Sequence, residues 1–306
     1  RVEAAIADLG YVPITLARSL RSKRTHTLGL VLSDITNPFW TTVARGVEDT
    51  AGQAGFNVIF CNTDESQAKQ DQYLQVLVQK QVDGLLLVPA GNVAQQVAWV
   101  QEQGVPVVVL DRLTPGANVD TVRGDSEAGA YELVRLLLEQ GHRRIAMLSG
   151  PPEVSTAADR VAGYRRALRQ AGMGRGDELV FYGRYTRASG YEMAQRALAT
   201  EPRPTALFAA NNFIADGAIG ALRDARLRLP EEMAMVVFDQ MPAAWSCGAF
   251  VATAEQPAYQ MGAQATELLL SRLKGLGPAE AQDIVLPVKI VAGQFGQTDA
   301  RGQANN

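Results

Sequence analysis

The chain has 306 residues, 47% hydrophobic and 20% charged, with a formal net charge of −3, long enough for two domains of about 100–150 residues, each with its own core. No stretch approaches the roughly 18 consecutive apolar residues of a membrane helix, and the opening RVEAAIADLG lacks the charged-then-apolar plan of a signal peptide. A membrane span and secretion are therefore not expected, and a cytoplasmic location is.

Residues 1–24 hold five basic side chains (Arg1, Arg18, Arg21, Lys23, Arg24) against Glu3 and Asp8, a local charge of +3 that leaves −6 for the rest. Nucleic-acid contact, if the chain makes any, is expected at that basic strip. Cys61 and Cys247 are far apart in apolar surroundings and read as buried thiols; His26 and His142 are isolated. No disulfide, metal site or cofactor is expected.

From Thr27 onward short apolar runs alternate with longer amphipathic segments, the pattern of a parallel sheet with helices on both faces. Strands are expected at 28–32, 57–61, 84–88, 106–110, 144–148, 179–182, 205–209 and 235–238, and helices near 38–54, 67–80, 92–103, 126–140, 156–171, 187–200 and 212–224. The alternation breaks at 119–125, where a weak strand at 121–123 precedes Gly124-Asp125-Ser126, a crossing point followed by a helix cap.

The expected fold class is α/β, with two similar doubly wound parallel-sheet subdomains joined by crossover strands. A helix at 258–273 and a last apolar run at 284–291 return the chain to each half in turn. The expected division gives 27–124 with 257–281 to the first half and 125–256 with 282–294 to the second. Residues 1–26 precede them and a polar tail, 295–306, follows.

In open parallel sheets ligands bind beyond the C-terminal strand ends, and polar residues gather there. Asp34-Ile35-Thr36-Asn37-Pro38-Phe39-Trp40 follows the first strand and Asp111-Arg112 the fourth; Asn211-Asn212 and Asp239-Gln240 follow two later ones. Arg160, Tyr185 and Gln256 stand in or near loops. A carboxylate beside a guanidinium can fork adjacent hydroxyls, and the faces of Phe39 and Trp40 suit the C–H face of a sugar ring. Duller roles stay open: Asn37-Pro38 and Asn211 as helix caps, Phe39 and Trp40 as core aromatics, Asp111-Arg112 as a simple ion pair, and Asp239 as a turn residue.

The residues also carry a family likeness. Ala4-Ala5-Ile6-Ala7-Asp8-Leu9-Gly10-Tyr11-Val12-Pro13, then Ala17-Arg18-Ser19-Leu20 and Thr27-Leu28-Gly29-Leu30, resemble the end of the DNA-binding headpiece and the hinge helix of the lac repressor family. Asn37-Pro38-Phe39-Trp40, Leu110-Asp111-Arg112, Ala158-Asp159-Arg160-Val161-Ala162-Gly163-Tyr164, Asn211 and Phe238-Asp239 resemble that family's effector domain, whose fold is periplasmic-binding-protein-like.

The resemblance implies a homodimeric transcription regulator with a sugar or sugar derivative as effector and operator DNA as partner. It implies effector contacts from Asp111, Arg112, Arg160, Asn211 and Asp239, and, as pocket positions of ribose-type binders, Tyr185 and Gln256. Leu20 becomes the hinge residue that wedges into the minor groove. The chain departs from the pattern at Asn212 and Gln240, where acidic residues are common, at Val88, where ribose-type binders place an amide, and in a headpiece that begins only at its last helix.

A periplasmic sugar carrier would share the core, but the basic hinge and the missing signal peptide speak against it. A Rossmann-type enzyme is not expected, because Gly172-Met173-Gly174-Arg175-Gly176 follows a helix and does not match GxGxxG. No Ser-His-Asp set appears either.

Overall fold

The structure, a computed structural model, describes residues 24–242 and 250–293. The hinge positions 17–20 and Cys247 lie outside the described residues.

The first half opens with strand β1 (Thr27–Leu32), helix α1 (Pro38–Gln53), β2 (Asn57–Asn62), α2 (Gln67–Gln79), β3 (Gly84–Leu87), α3 (Ala94–Glu102), β4 (Val107–Leu110) and β5 (Asp120–Gly124). The second contains α4 (Ser126–Glu139), β6 (Ile145–Ser149), α5 (Ser155–Gln170), β7 (Leu179–Tyr182), α6 (Arg187–Leu198), β8 (Ala206–Ala209), α7 (Asn212–Asp224), β9 (Ala234–Phe238) and β10 (Ala252–Glu255). Then come α8 (Ala258–Leu273), β11 (Asp283–Leu286) and β12 (Lys289–Ala292). The glycine-rich loop after α5 holds one 3₁₀ turn, Arg175–Asp177.

The first sheet runs β11-β5-β4-β3-β1-β2 and the second β12-β10-β9-β8-β6-β7. The first is parallel throughout; in the second only β12 runs antiparallel, to β10. Continuous apolar runs form the central strands because both faces are covered: Leu85 to Leu87 and Val107 to Leu110 are almost fully buried, as are Ala206 to Ala209. Each large apolar side chain so buried contributes about 1.5–3 kcal/mol. Helices start where caps allow: the side chains of Asn37, Ser66, Asp125, Thr186 and Asn211 each accept a first-turn backbone N–H.

Among the described residues the chain crosses between halves three times, at 124–126, 255–258 and 286–289. Helix α8 packs on α1 beside the first sheet. The expected boundary at 281/282 is corrected: β11 lies beside β5, so 283–286 belong to the first half and only β12 to the second. Pro287, with no N–H to donate, divides the apolar run expected at 284–291 into two strands in different sheets. Strand β10 was not expected, since its alternating small residues carry little apolar signal. Cys61 sits half-buried on the edge strand β2, not buried as expected, and partial burial pushes its thiol pKa up.

Glycines set the closest helix crossings. A Cβ on Gly46 of α1 would collide with the Tyr259 carbonyl of α8, and one on Gly262 of α8 with the Val43 carbonyl of α1. Gly190 of α6 and Gly217 of α7 stand in the same reciprocal relation to the carbonyls of Ile214 and Arg187. Gly217→Ala is therefore expected to destabilise the protein by about 1–3 kcal/mol through overpacking, whereas Gly52→Ala, where a Cβ meets open space, is expected to be neutral or stabilising. Urea unfolding of the two variants checks the contrast.

Candidate functional site

One cavity of about 630 Å³ opens between the halves, beyond the C-terminal ends of the parallel strands. All ten side chains expected to contact an effector line it: Asn37, Phe39, Trp40, Asp111, Arg112, Arg160, Tyr185, Asn211, Asp239 and Gln256. They come from both halves, and the two strand-end aspartates stand in equivalent places.

Asp111 follows β4 and Asp239 follows β9, each the fourth strand of its sheet counted from the outer edge. Each has a left-handed backbone, φ 66° and φ 72°. Each donates its N–H at 2.9 Å to the next strand, Asp111 to the Val122 carbonyl and Asp239 to the Ala254 carbonyl. Left-handed backbone is uncommon outside glycine and best tolerated by Asp and Asn, and here it turns a carboxylate off the strand end toward the cleft.

Both aspartates are only 5% exposed, and burial raises both pKa values. Asp111 is pushed up to about 6, with Arg160 and Arg112 opposing the rise. For Asp239, Arg160 and a hydrogen bond from Gln256 Nε2 to Oδ1 at 2.8 Å oppose it. Asp111 Oδ1 and Gln256 Oε1 are buried with no hydrogen-bond partner in the protein. A buried acceptor without a partner costs about 1–3 kcal/mol, so such atoms mark where a ligand would satisfy the site.

Arg160 reaches the cavity from α5, stacked 3.8 Å over the Phe238 ring and donating to the Ala210 carbonyl at 2.6 Å and to Ser126 Oγ at 3.3 Å. Arg112 is fixed more tightly. Its Nη1 and Nη2 each donate to Glu65 at 2.6 Å in a bidentate fork, and Nη1 donates to the Pro89 carbonyl at 2.7 Å. Burial works against its charge, but the Glu65 carboxylate outweighs that and holds its pKa above the usual value. Asp111 Oδ2 lies 4.0 Å from Arg112 Nε, so the expected neighbour pair is the weaker of the two contacts.

The asparagines carry the capping role. Asn37 Oδ1 accepts from Phe39 N–H at 3.0 Å and also from Asn212 Nδ2, while Asn37 Nδ2 donates to Asn212 Oδ1 at 3.0 Å. This paired amide contact clasps the halves across the cleft and commits Asn37 to Asn212, where an aspartate could not donate. Asn211 Oδ1 accepts from Ile214 N–H at 2.9 Å, which leaves its amide donors for the cavity. Trp40 is 5% exposed and belongs to the first core as well as to the wall, packed edge-on to Phe39 with ring centroids 4.7 Å apart. Tyr185 lies over Gly150, where any Cβ would strike its ring, and burial raises its pKa. Val88 points into the core; Ala90 and Gly91 form the wall there.

Sequence reasoning missed Glu65. Its signal was available, because Asp64-Glu65-Ser66 follows the end of β2 just as Asp111-Arg112 follows β4. Among the described residues no group of three or more His, Cys, Asp and Glu side chains could hold a metal, and no helix is long and apolar enough to cross a membrane.

A profile of periplasmic binding proteins and the sugar binding domain of the LacI family matches residues 25–291. The chain belongs to this family. It is 32% identical over 276 residues to the HTH-type transcriptional repressor PurR of Photobacterium profundum, covering 90% of this chain and 82% of that protein. Over 279 residues it is 32% identical to the ribose operon repressor of Escherichia coli (strain K12), covering 89% and 83%. The structure of a LacI family transcriptional regulator from Enterococcus faecium with bound ribose superposes with a TM-score of 0.79 at 27% identity, covering 87% of this chain and 97% of that one. The described residues are thus the effector core of a LacI-family regulator, and the two relatives named from Photobacterium profundum and Escherichia coli are repressors.

Titration of Asp111 gives a direct test of its burial. With a folded pKa of about 6 against an ordinary 3.8, its contribution to stability is fully present below the unfolded value and is lost as pH rises through the folded one. Between about pH 4.5 and 7.5 the stability of wild type relative to Asp111→Asn is expected to fall by about 2 kcal/mol. Urea unfolding of both proteins across that range checks it.

Proposed function

We propose that the cavity binds a small sugar or sugar derivative and that the intact protein, a cytoplasmic homodimer, changes its hold on operator DNA when it does so. The observation that carries this is the meeting of Asp111 from one half with Arg160, Asn211 and Asp239 from the other in one cavity, with Asp111 Oδ1 buried and unpartnered. Vicinal hydroxyls can donate to the carboxylates and accept from the guanidinium, so a polyhydroxylated ring satisfies both halves at once. The wall of Phe39 and Tyr185 suits the ring's apolar face.

A ligand shared by two halves favours the arrangement in which both contact it. Three crossings join the halves, and one of them presents Gln256, bonded to Asp239, to the cavity. The segment leading from the hinge is tied to the first half: Thr25 and Thr27 donate their N–H groups to Asp83 at 3.1 Å. A change in the halves of each protomer would alter the spacing of two hinge segments at Ala17, Arg18, Ser19 and Leu20. DNA bound at those segments and sugar bound between the halves would then bias one shared two-state element. Leu20 is the residue assigned to the minor-groove wedge.

A periplasmic carrier would share the pocket, but the relatives at about one-third identity are named as repressors. Isothermal titration calorimetry against a panel of pentoses, hexoses and their derivatives is expected to find a binding sugar. Arg160→Ala is expected to weaken it by about 100-fold or more, as for a buried charge-assisted contact (about 3 kcal/mol). No binding by wild type, or unchanged binding by Arg160→Ala, contradicts the reading.

A further inference from the structure

The cavity has a charge bias. Its acidic lining residues are Asp34, Asp64, Glu65, Asp111, Glu153 and Asp239, its basic ones Arg112, Arg160 and Arg184, so carboxylates outnumber guanidiniums by three. Within this set one pair is self-contained. Arg112, 5% exposed, has both terminal nitrogens in the Glu65 fork and Nη1 also on a backbone carbonyl; only Nε is left without a hydrogen bond. A buried planar guanidinium at a strand end is the group best suited to grip a phosphate or carboxylate bidentately. Here a carboxylate of the chain itself occupies that fork.

Glu65 is held in place by a built loop. Asp64 and Glu65 follow each other in left-handed backbone, φ 51° and φ 57°, a run that non-glycine residues adopt only when the surroundings impose it. Asn62 and Lys69 both bind the Asp64 carboxylate, Glu65 N–H donates to the Ser33 carbonyl at 3.2 Å, and the Ser66 side chain caps the next helix. These contacts aim the Glu65 carboxylate inward at Arg112, 47 residues on in sequence.

We propose that Glu65 sets the charge class of the effector: it seats its own carboxylate where an effector's anionic group would sit, and so restricts the pocket to uncharged polyhydroxylated ligands and excludes sugar phosphates and sugar acids. The inference rests on the sugar-sensing reading above and narrows its ligand. An incoming phosphate would find the Arg112 fork already filled and the unpartnered Asp111 oxygen beside it, repelling a second negative charge. A neutral ring instead donates hydroxyls to Asp111, whose Oδ1 has no donor in the protein, and to Asp239.

Two measurements on wild type, Glu65→Gln and Glu65→Ala test it. In calorimetry, wild type is expected to bind a neutral sugar at least about tenfold more tightly than the phosphate ester of the same sugar, and both variants to lose at least about tenfold of that preference. In thermal unfolding at constant ionic strength, about 20 mM inorganic phosphate is expected to leave the wild-type Tm unchanged and to raise that of the variants by about 2 °C or more. A wild type that prefers the phosphate ester overturns the proposal whether or not the variants fold, as does a phosphate-induced rise in the wild-type Tm. Variants with an unchanged preference, or with no response to phosphate, overturn it as well. If no sugar binds at all, the sugar-sensing reading fails, and the phosphate series still decides the role assigned to Glu65.

Discussion

Two aspartates and two arginines stand almost out of water where the strand ends of two sheets meet, and the rest of the structure makes that arrangement possible. A buried charge is tolerated only when paired and hydrogen-bonded, and here the first half does not supply all the partners of its own aspartate. Asp111 of the first half leans on Arg160 of the second; Asp239 depends on Arg160 and on Gln256 from a crossing segment. Asp111 Oδ1 and Gln256 Oε1 remain without partners in the protein. A ligand that supplies hydroxyl donors to both halves completes the set, so recognition and the relative placement of the halves are one energetic problem.

The same geometry explains why the two halves repeat one device. Each fourth strand ends in an aspartate at positive φ whose N–H is tied to the neighbouring strand, so the sheet itself fixes the direction of the carboxylate. Rigid sheets below and glycine-close helix crossings outside leave the three crossings as the places where the halves can adjust. The paired amides of Asn37 and Asn212 and the contact from Leu113 N–H to Ser155 Oγ at 2.9 Å bridge the cleft. Both are made of neutral polar groups that water can replace at modest cost, in contrast to the charges beneath.

Much of this was legible in the sequence because parallel strands buried on both faces are short apolar runs, and whatever follows such a run lies at the mouth of the sheet. That rule places Asp111, Arg112, Asn211 and Asp239 at the cavity without any knowledge of the fold. It applies equally to Asp64-Glu65 after β2, which went unread because the fork with Arg112 joins residues with no local relation. The Asn37–Asn212 clasp, between residues 175 apart, is beyond reach for the same reason. Strand β10 alternates small residues and gives almost no hydrophobic signal. The sheet change at Pro287 was written in the chain, since a residue without an N–H interrupts a ladder, but the apolar flanks on both sides masked it.

The most direct measurement is a structure of the protein with the sugar that calorimetry selects. The ring is expected between Phe39 and Tyr185, with hydroxyls within hydrogen-bond distance of Asp111, Arg160 and Asp239 together and the Glu65 fork on Arg112 intact. A sugar bound elsewhere, or one whose hydroxyls reach the charged residues of only one half, would contradict a site shared between the halves.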